Sequence, residues 1–368
     1  MFLNLCWVSS GITLHPDITM LRYVSVFSVV TLLPAGLLLC ASTFGGFWTA
    51  FPIVILSVVS HIADELFENR PDTQIEHLFK NTLPLFLALL HFALLVTAVW
   101  SLAYQPFTLP TKFALFVGYA IYFAHVSNAV GHELIHRTRR FPYALGKWLF
   151  ISILFGHHAS SHRLIHHPYV ATRYDPNTAR YNENFYWFFV RAWRGSFLAG
   201  LSAENERLGH DVGSRAVAIK NPYFTYILGS FLCLGLIASL AGWVAFAIYL
   251  ALAFTSQAGL LVTDYVQHYG LTRSEGPDGK FPPVAPHHSW NSPHWFTRNL
   301  TLNAPLHSDH HSKPNRPYTD LQIHSKETAP QLPYSPGIMS VLALYPPRWR
   351  KVMHPLVAKW AMRHRNLQ

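Results

Sequence analysis

Nine histidines of this 368-residue chain fall in short clusters whose spacing is typical of metal ligands. They are His132 and His136 in HELIHR, His162, His166 and His167 in HRLIHH, His268 in QHYGL, and His307, His310 and His311 in HSDHH. Imidazole is the commonest biological ligand for iron, zinc and copper. One ion takes about four to six ligands, so nine candidates are too many for one ion and about right for two. The clusters therefore predict a dinuclear metal site.

The spacing within each cluster predicts which rings share an ion. His132 and His136 are four residues apart, which on a helix places both rings on one face, about 6 Å of rise apart. Two further pairs have helical spacing, namely His162 with His166 and His307 with His310. His167 and His311 extend these pairs, and His167 is placed to reach a neighbouring ion. We expect each pair to face one ion.

Polar residues beside the clusters are candidates for orienting the ligands. A ligating ring commonly donates its other N–H to a carboxylate or carbonyl group. The candidate partners are Asp175, Asp309, Gln267 and His288. Glu133 faces away from the stripe of His132 and His136, so a supporting role is expected for it rather than ligation. His125 is a candidate for the wall of a substrate cavity, with a buried histidine bonded to a neighbouring helix as the alternative.

The elements that position these clusters are apolar enough to cross a membrane. The chain is 51% hydrophobic and only 12% charged, whereas charged residues make up about a quarter of soluble proteins. About 20 helical residues cross a hydrocarbon layer about 30 Å thick. Apolar stretches predict six spans, at approximately 22–41, 45–61, 82–103, 112–131, 223–241 and 243–263.

The distribution of basic residues predicts the orientation of the spans. Basic residues are concentrated in the N-terminal segment, in 61–81, in 132–222 and after residue 264. The positive-inside rule then places both termini and all the histidine clusters on the cytoplasmic side. The formal net charge of +10 belongs to loops that flank spans, which indicates contact with anionic lipid or an acidic partner rather than with nucleic acid.

These features predict one all-α integral membrane protein, with residues 1–368 forming a single domain. It is expected to be a six-transmembrane-helix bundle whose cytoplasmic, histidine-rich cap, residues 132–222 and 264–368, holds the dinuclear metal site. Residues 143–156 are apolar but too short to span, which indicates a re-entrant or interfacial helix. Residues 185–199 mix aromatic residues with arginines, as in a helix at the headgroup level.

A zinc peptidase is the main alternative from another class. HELIH matches the HExxH motif, in which two histidines bind zinc and the glutamate, here Glu133, acts as the base. Such an enzyme needs only one further ligand, which leaves HRLIHH and HSDHH without a role. A metal transporter would need ionisable residues throughout its spans, and these spans contain almost none.

A family resemblance extends from about residue 20 to residue 350. The segments that carry it are HELIHR, HRLIHHPYVATRYDPNTA, DYVQHYGL, HSWNS and HSDHHSKPNRPY. In order and spacing they resemble the membrane non-haem diiron alkane 1-monooxygenases. The xylene monooxygenase hydroxylase component and the fatty-acid desaturases share the histidine boxes, but HSWNS and HYGL are more specific and are not desaturase signatures.

The resemblance implies that all nine histidines bind two iron ions and that one atom of O₂ enters the terminal methyl group of a medium-chain alkane, giving a primary alcohol. Electrons would come from a rubredoxin-type protein and its NADH-dependent reductase, docking on the basic cytoplasmic face. The three scattered cysteines, Cys6, Cys40 and Cys233, form no CxxC motif, which agrees with an external donor.

The sequence departs from the alkane pattern beside the expected site. Gln267 stands where a glutamate usually precedes the HYGL histidine, as in xylene-type relatives. Ser161 replaces a glutamate before the second box, and Arg173-Tyr174 replaces Pro-Glu. Hydroxylation of a methyl group on an aromatic or terpene hydrocarbon is therefore the alternative activity.

The expected substrate dissolves in the membrane itself. Each CH₂ group favours apolar surroundings by about 0.8 kcal/mol, so an alkane chain partitions strongly into lipid. We therefore predict a hydrophobic channel through the bundle that ends near His132 and His136.

Overall fold

The computed structural model of the chain describes residues 25–67, 77–209 and 219–365. Within these ranges the protein is helical and has no β-strand, and the only strand-like pairing is an isolated bridge between Asn291 and Gln331. The prediction of an all-α protein is confirmed for this part of the chain. The predicted first span begins partly outside the described residues.

The described helices fall into long apolar helices and shorter helices that cover one end of them. In chain order they are α1 (Ser25–Phe44), α2 (Gly46–Leu66), α3 (His77–Tyr104), α4 (Leu109–Ile135), α5 (Arg140–Ser152), α6 (158–169), α7 (Phe185–Leu208), α8 (Pro222–His268), α9 (Trp295–Leu300), α10 (His307–Ser312), α11 (Pro336–Ala343) and α12 (Pro346–Arg365). Single π-helical turns interrupt α2, α4 and α6 at Ile55–Val59, Phe123–Ser127 and His162–His166.

Five helices, α1, α2, α3, α4 and α8, are long and apolar enough to cross a membrane. They extend beyond the predicted spans at most ends. Helices α4 and α8 reach Ile135 and His268, so the first residues assigned to the predicted cap belong to these helices. The helices continue past the apolar stretch because residues such as His132 and His268 pack inward at their ends instead of meeting solvent.

Helix α8 is interrupted in its middle at Gly242. Its 47 residues would measure about 70 Å if straight, more than twice the thickness of a hydrocarbon layer. Gly242 has φ 66° and ψ 179°, a backbone conformation that glycine adopts without steric cost. The Cys233 thiol, before the break, is hydrogen-bonded to the Tyr249 side chain after it, so the two halves of α8 fold back on one another.

Several of the long helices begin or end beside α9 and residues 318–320. We call this end of the bundle the histidine end. Asp64 at the end of α2 accepts a hydrogen bond of 2.9 Å from the backbone N–H of Thr297. The Phe27 ring near the start of α1 meets the Tyr318 ring at 5.1 Å. Lys80 near the start of α3 pairs with Asp320. Helices α4 and α8 also end here, at Ile135 and His268.

The opposite end of the bundle carries the turns between the long helices. A Cβ atom at Gly45, between α1 and α2, would lie 2.6 Å from the Phe107 ring between α3 and α4. The Tyr104 hydroxyl, at the end of α3, donates to the carbonyl of Ala241 beside the break in α8. Lys112 is the single Lys or Arg at this end among the described residues. The basic residues are thus concentrated at the histidine end.

Helix α5 turns into the bundle from the histidine end. The imidazole of His91, midway along α3, is bonded to Ser127 on α4 and to Ser152 at the end of α5, both at 2.9 Å. The Tyr249 hydroxyl of α8 donates to the carbonyl of Ser152 at 2.6 Å. These contacts place the end of α5 at the level of the middle of α3, in agreement with a re-entrant helix.

Helices α4 and α8 pack closely just before the histidines that they carry. A Cβ atom at Gly259 would lie 2.3 Å from that of Ala124, so only glycine permits this approach. The Asn128 amide donates to the carbonyl of Ser256 at 2.8 Å. Because this contact fixes the two helices against each other, it also fixes the distance between their terminal histidines.

Candidate metal centre

The nine histidines of the sequence clusters converge at the histidine end in two groups. The nitrogen atoms within each group lie within 4.8 Å of one another. The first group comprises His132, His136, His162, His167 and His310. The second group comprises His166, His268, His307 and His311. Each group therefore offers enough imidazoles for one metal ion.

The pairing within HRLIHH differs from the helical prediction. His162 and His167 lie in the first group and His166 in the second, so the prediction that His162 and His166 face one ion is wrong. The cause is the π-helical turn His162–His166, in which residues five apart occupy one face. Consecutive residues His166 and His167 thus point to different groups.

The pairing within HSDHH also differs from the prediction. His307 and His311 lie together in the second group, whereas His310 lies in the first. The residues that share an ion are four apart rather than three, as the regular α-helical turn of α10 favours. Each of the short helices α6 and α10 therefore supplies ligands to both groups.

The Nε2 atoms face one another at the centre of each group. In the first group, His167 Nε2 lies 3.1 Å from both His162 Nε2 and His310 Nε2. In the second group, His307 Nε2 lies 2.9 Å from His268 Nε2 and 3.0 Å from His311 Nε2. The groups are adjacent, because the rings of His167 and His311 are only 4.5 Å apart. The arrangement is that of a dinuclear centre.

This donor set fits metal ions better than it fits hydrogen bonds. The buried Nε2 atoms of His132, His136 and His166 have no hydrogen-bond partner among the described residues, a costly state unless something else binds there. Two nitrogens that each lie about 2.1 Å from one ion are about 3.0 Å apart when bound at right angles and about 3.4 Å apart in a tetrahedron. The observed separations of 2.9–3.1 Å are close to the spacing of two nitrogens that bind one metal ion.

Burial keeps most of these rings neutral, as metal binding requires. For the rings that lie outside the long apolar helices, desolvation sets each pKa well below its ordinary value and neighbouring histidines lower it further. These rings are His136, His162, His167, His307, His310 and His311. Neutral imidazole has the free lone pair that binds a metal ion.

His166 is the exception, because a carboxylate holds it. Its Nδ1 lies 2.8 Å from Asp175 Oδ2. Burial acts to lower the pKa of His166, but Asp175 outweighs it and raises the pKa. The contact leaves Nε2 of His166 facing the second group, so Asp175 orients this ligand as the sequence suggested. Asp175 is held in turn by the Thr178 hydroxyl at 2.7 Å and the Asn177 backbone N–H at 2.9 Å.

Replacing Asp175 with asparagine is expected to weaken metal binding at the second group by about 10- to 100-fold, because a neutral amide makes the His166 ring less basic and orients it less firmly. Competition with a chelator, with bound metal counted by elemental analysis, measures the change. Asp309→Asn is the matched control, since Asp309 is an equally buried carboxylate that contacts other residues. Equal metal retention in both variants would contradict the role of Asp175.

The other predicted partners lie at different distances from the two groups. Asp309 instead accepts hydrogen bonds from Arg316 at 2.6 Å and from the Gln322 backbone at 3.0 Å, so the structure places its carboxylate away from the ligating rings. The backbone of His288 lies beside the His268 ring. The Gln267 amide is directed toward the carbonyl of Ala304 at 3.4 Å.

One supporting carboxylate was missed from the sequence. Asp264 is 6% exposed and accepts a hydrogen bond of 2.6 Å from the Asn177 amide. It also lies near enough to His166 to favour its charged form. The available signal was its position on α8, four residues before His268 and hence on the same helical face.

Comparison with known proteins agrees with this geometry. A family model described as fatty acid desaturase matches residues 106–342. Alkane 1-monooxygenase 1 of Pseudomonas aeruginosa is 30% identical over 321 residues, which cover 84% of this chain and 83% of that protein. The chain belongs to the alkane 1-monooxygenase family.

The other relatives include a second alkane 1-monooxygenase and a xylene/toluene monooxygenase component. Alkane 1-monooxygenase 2 of Alcanivorax borkumensis is 34% identical over 228 residues, covering 62% of this chain and 59% of that protein. The xylene/toluene monooxygenase hydroxylase component of Pseudomonas putida is 26% identical over 236 residues, covering 64% of this chain and 62% of that protein. The family consists of monooxygenases, so the chain is classed with oxidoreductases.

The direction of the Glu133 side chain differs from that expected in a HExxH peptidase. Its carboxylate pairs with Arg137 and accepts a long hydrogen bond of 3.4 Å from the Tyr318 backbone. It therefore lies on the side of α4 away from the ligands. A peptidase base would have to face a metal-bound water beside His132 and His136.

A cavity of about 90 Å³ opens between α4 and α8 and reaches both histidine groups. His132 and His162 of the first group and His307 of the second contribute to its wall. His125 also lines it, with Nδ1 bonded to the carbonyl of Ile121 at 2.9 Å. Gln267 lies in the same wall.

Proposed function

We propose that this protein hydroxylates the terminal methyl group of a medium-chain alkane to a primary alcohol, with two iron ions held by the nine histidines. The observation that carries the proposal is the cavity between α4 and α8, since its wall includes His132, His162 and His307 and so joins both groups. A molecule entering from the apolar bundle would meet the two metal positions together. The family membership supports the same reaction class.

The reaction converts RH, O₂, two electrons and two protons into ROH and water. When bound, the iron pair supplies the O₂ chemistry, and the protein supplies binding, orientation and exclusion of water. Ala129 and Leu260 offer apolar surface to the chain, while His125 and Asn128 are tied to backbone carbonyls of α4 and α8. The Nδ1 atom of His125 and the amide nitrogen of Asn128 are thus occupied, which reduces the number of polar groups that can face the substrate.

The size of the cavity favours a linear chain over a ring. An apolar cavity of about 150 Å³ accommodates benzene, whereas this cavity measures about 90 Å³. The end of an alkyl chain is narrower than a substituted ring and fits the smaller space. Methyl-aromatic hydroxylation is the second candidate, because Gln267 lines the cavity and a xylene/toluene monooxygenase component is among the relatives.

The topology belongs to the same proposal. If the halves of α8 on either side of Gly242 each cross the membrane, the chain makes six crossings, with its histidine end in the cytoplasm. The contacts that support this are the grouping of Gly45, Phe107 and Ala241 at the opposite end and the basic residues at the histidine end. A bacterial inner membrane, a rubredoxin-type donor and its NADH-dependent reductase complete the proposal.

The test combines metal analysis with product analysis. The protein purified in lipid nanodiscs is expected to hold about two irons per chain and, with rubredoxin, its reductase, NADH and O₂, to convert octane into 1-octanol. Parallel incubations with para-xylene measure the alternative. Oxidation of para-xylene alone would exclude the alkane assignment, and about one zinc per chain with peptidase activity would exclude the monooxygenase.

A further inference from the structure

A row of three side chains runs from the protein surface at the histidine end toward the second histidine group. The Tyr181 ring is 53% exposed and stacks on His354 of α12, with ring centroids 4.3 Å apart and an interplanar angle of 29°. His354 Nε2 lies 3.1 Å from the hydroxyl of Tyr269, which is fully buried. Tyr269 directly follows His268, a member of the second group. The row therefore runs from solvent to a residue that is joined by one peptide bond to a member of the second group.

The hydrogen bonds fix the orientation of this row. The backbone N–H of Asn182 donates to the Tyr269 hydroxyl oxygen at 3.1 Å, so the hydroxyl proton is free to be donated to His354 Nε2. Burial, followed by the charge of Arg350, lowers the pKa of His354, which agrees with a neutral ring that accepts this bond. Stacking and hydrogen bonding thus hold three π-systems in contact.

The exposed end of the row is surrounded by positive charge. Arg180 precedes Tyr181, and Arg350 reaches the carbonyl of Asn182 at 3.4 Å. Lys351 is exposed and lies three residues before His354 on the same helical face. Helix α12 contains no Asp or Glu. Glu183 does not offset these charges, because it is already paired with Arg191 at 2.6 Å.

We propose that the surface formed by Tyr181, His354, Arg180, Arg350 and Lys351 docks an acidic one-electron carrier protein, and that the row Tyr181–His354–Tyr269 carries its electrons to the second histidine group. The inference rests on the proposed function, which requires electrons from outside the chain. Each docking event transfers one electron. The carrier is oxidised by one electron, the metal centre is reduced by one, and two successive events supply one turnover.

A membrane surface is the less suitable occupant of these charges. Anionic headgroups would use the basic residues but would gain nothing from a row of aromatic side chains that runs inward toward His268. A protein carrier uses both features. Small, electrostatically steered interfaces are typical of transient redox encounters.

The first experiment measures docking. Reduced rubredoxin is the probe, and its binding to the complete enzyme in nanodiscs is followed by surface plasmon resonance at several salt concentrations. Arg180→Glu with Lys351→Glu is expected to lower the association rate constant about tenfold or more at low salt, with the difference shrinking as salt screens the charges. The matched control is Lys280→Glu with Lys313→Glu, two exposed lysines on other loops. Equal losses in both variants, or none in the first, would overturn the docking site.

The second experiment separates conduction from docking. His354→Leu breaks the row outside the ligand set, whereas His354→Phe keeps an aromatic ring there. Stopped-flow oxidation of reduced rubredoxin, at a concentration that saturates each variant, is expected to slow several-fold in His354→Leu and to recover in His354→Phe, while metal content stays unchanged. Equal rates in the two variants would overturn the electron path.

Two controls make the remaining outcomes decisive. Dithionite reduces the metal centre without docking, so a protein that forms no alcohol even with dithionite and O₂ contradicts the proposed function rather than the docking site. Nanodiscs with and without phosphatidylglycerol test the lipid alternative. If the charge reversals change only the stability in anionic discs and leave rubredoxin binding intact, the surface binds lipid and the docking proposal is wrong.

Discussion

Replacing His310 with alanine is expected to reduce bound metal from about two ions to about one per chain and to lower alkane hydroxylation by at least about 100-fold, the upper end of what loss of a supporting partner costs. His310 is the ring by which α10 reaches the first group, whose other members lie on α4 and α6 or at their ends. Its Nε2 lies 3.1 Å from His167 Nε2. Loss of this ring opens one side of the first group, and O₂ chemistry needs both ions.

The partition between the groups makes the result specific. His166→Ala is expected to empty the second group instead, so each variant should keep one ion with a different spectroscopic signature. His61→Ala is the control, since His61 is exposed on α2 and lies outside both groups. Metal analysis, Mössbauer spectroscopy and octanol formation supply the readouts. Two ions retained in His310→Ala, with activity like that of the control, would contradict the assignment of the first group.

The location of the ligands could be predicted from the sequence, because their spacing and their position beside apolar helices are local properties. All nine candidate histidines lie in the two groups. Which ring belongs to which group could not be predicted for two of the clusters. The π-helical turn His162–His166 inserts one residue into the helical repeat, and nothing in HRLIHH distinguishes such a turn from a regular one.

The supporting residues depended on contacts between segments that are distant in sequence. His166 contacts Asp175, which is nearby and was predicted, but Asn177 meets Asp264 across 87 residues. Asp309 has the same sequence relation to its neighbouring histidines as a partner would, yet it bonds to Arg316. A carboxylate beside a histidine box indicates a polar environment, whereas the direction of its side chain is set by tertiary packing.

For the long helices, too, local sequence properties could be predicted and tertiary contacts could not. Uncharged stretches located all five apolar helices, because hydrocarbon excludes charges whatever the neighbouring helices are. The ends were misplaced by several residues since ligands at His132 and His268 continue the helices beyond the apolar stretch. The close approach of Gly259 to Ala124 could not be predicted, because any glycine in an apolar helix has the same local sequence signal.

Replacing Ala129 with a residue large enough to fill the cavity is expected to abolish hydroxylation of octane without removing metal. Ala129 lies on α4 one turn before His132, is 7% exposed and lines the cavity. A phenylalanine there would occupy much of the space of about 90 Å³ and would keep the substrate methyl group away from the two histidine groups. Overpacking destabilises a protein by about 1–3 kcal/mol. The series Ala129→Val, Ala129→Leu and Ala129→Phe therefore increases the side-chain volume in steps.

The series yields a pattern that simple destabilisation does not produce. As the side chain grows, the preferred alkane should become shorter before activity is lost, while the metal content stays at that of the unmodified protein. Ala251→Phe provides the control, since Ala251 is exposed on the outer face of α8 and the same substitution there leaves the cavity unchanged. Product profiles from hexane to dodecane, measured by gas chromatography, report the preference. An unchanged profile across the series would show that the hydrocarbon does not bind between α4 and α8, because every variant places added volume directly beside His132.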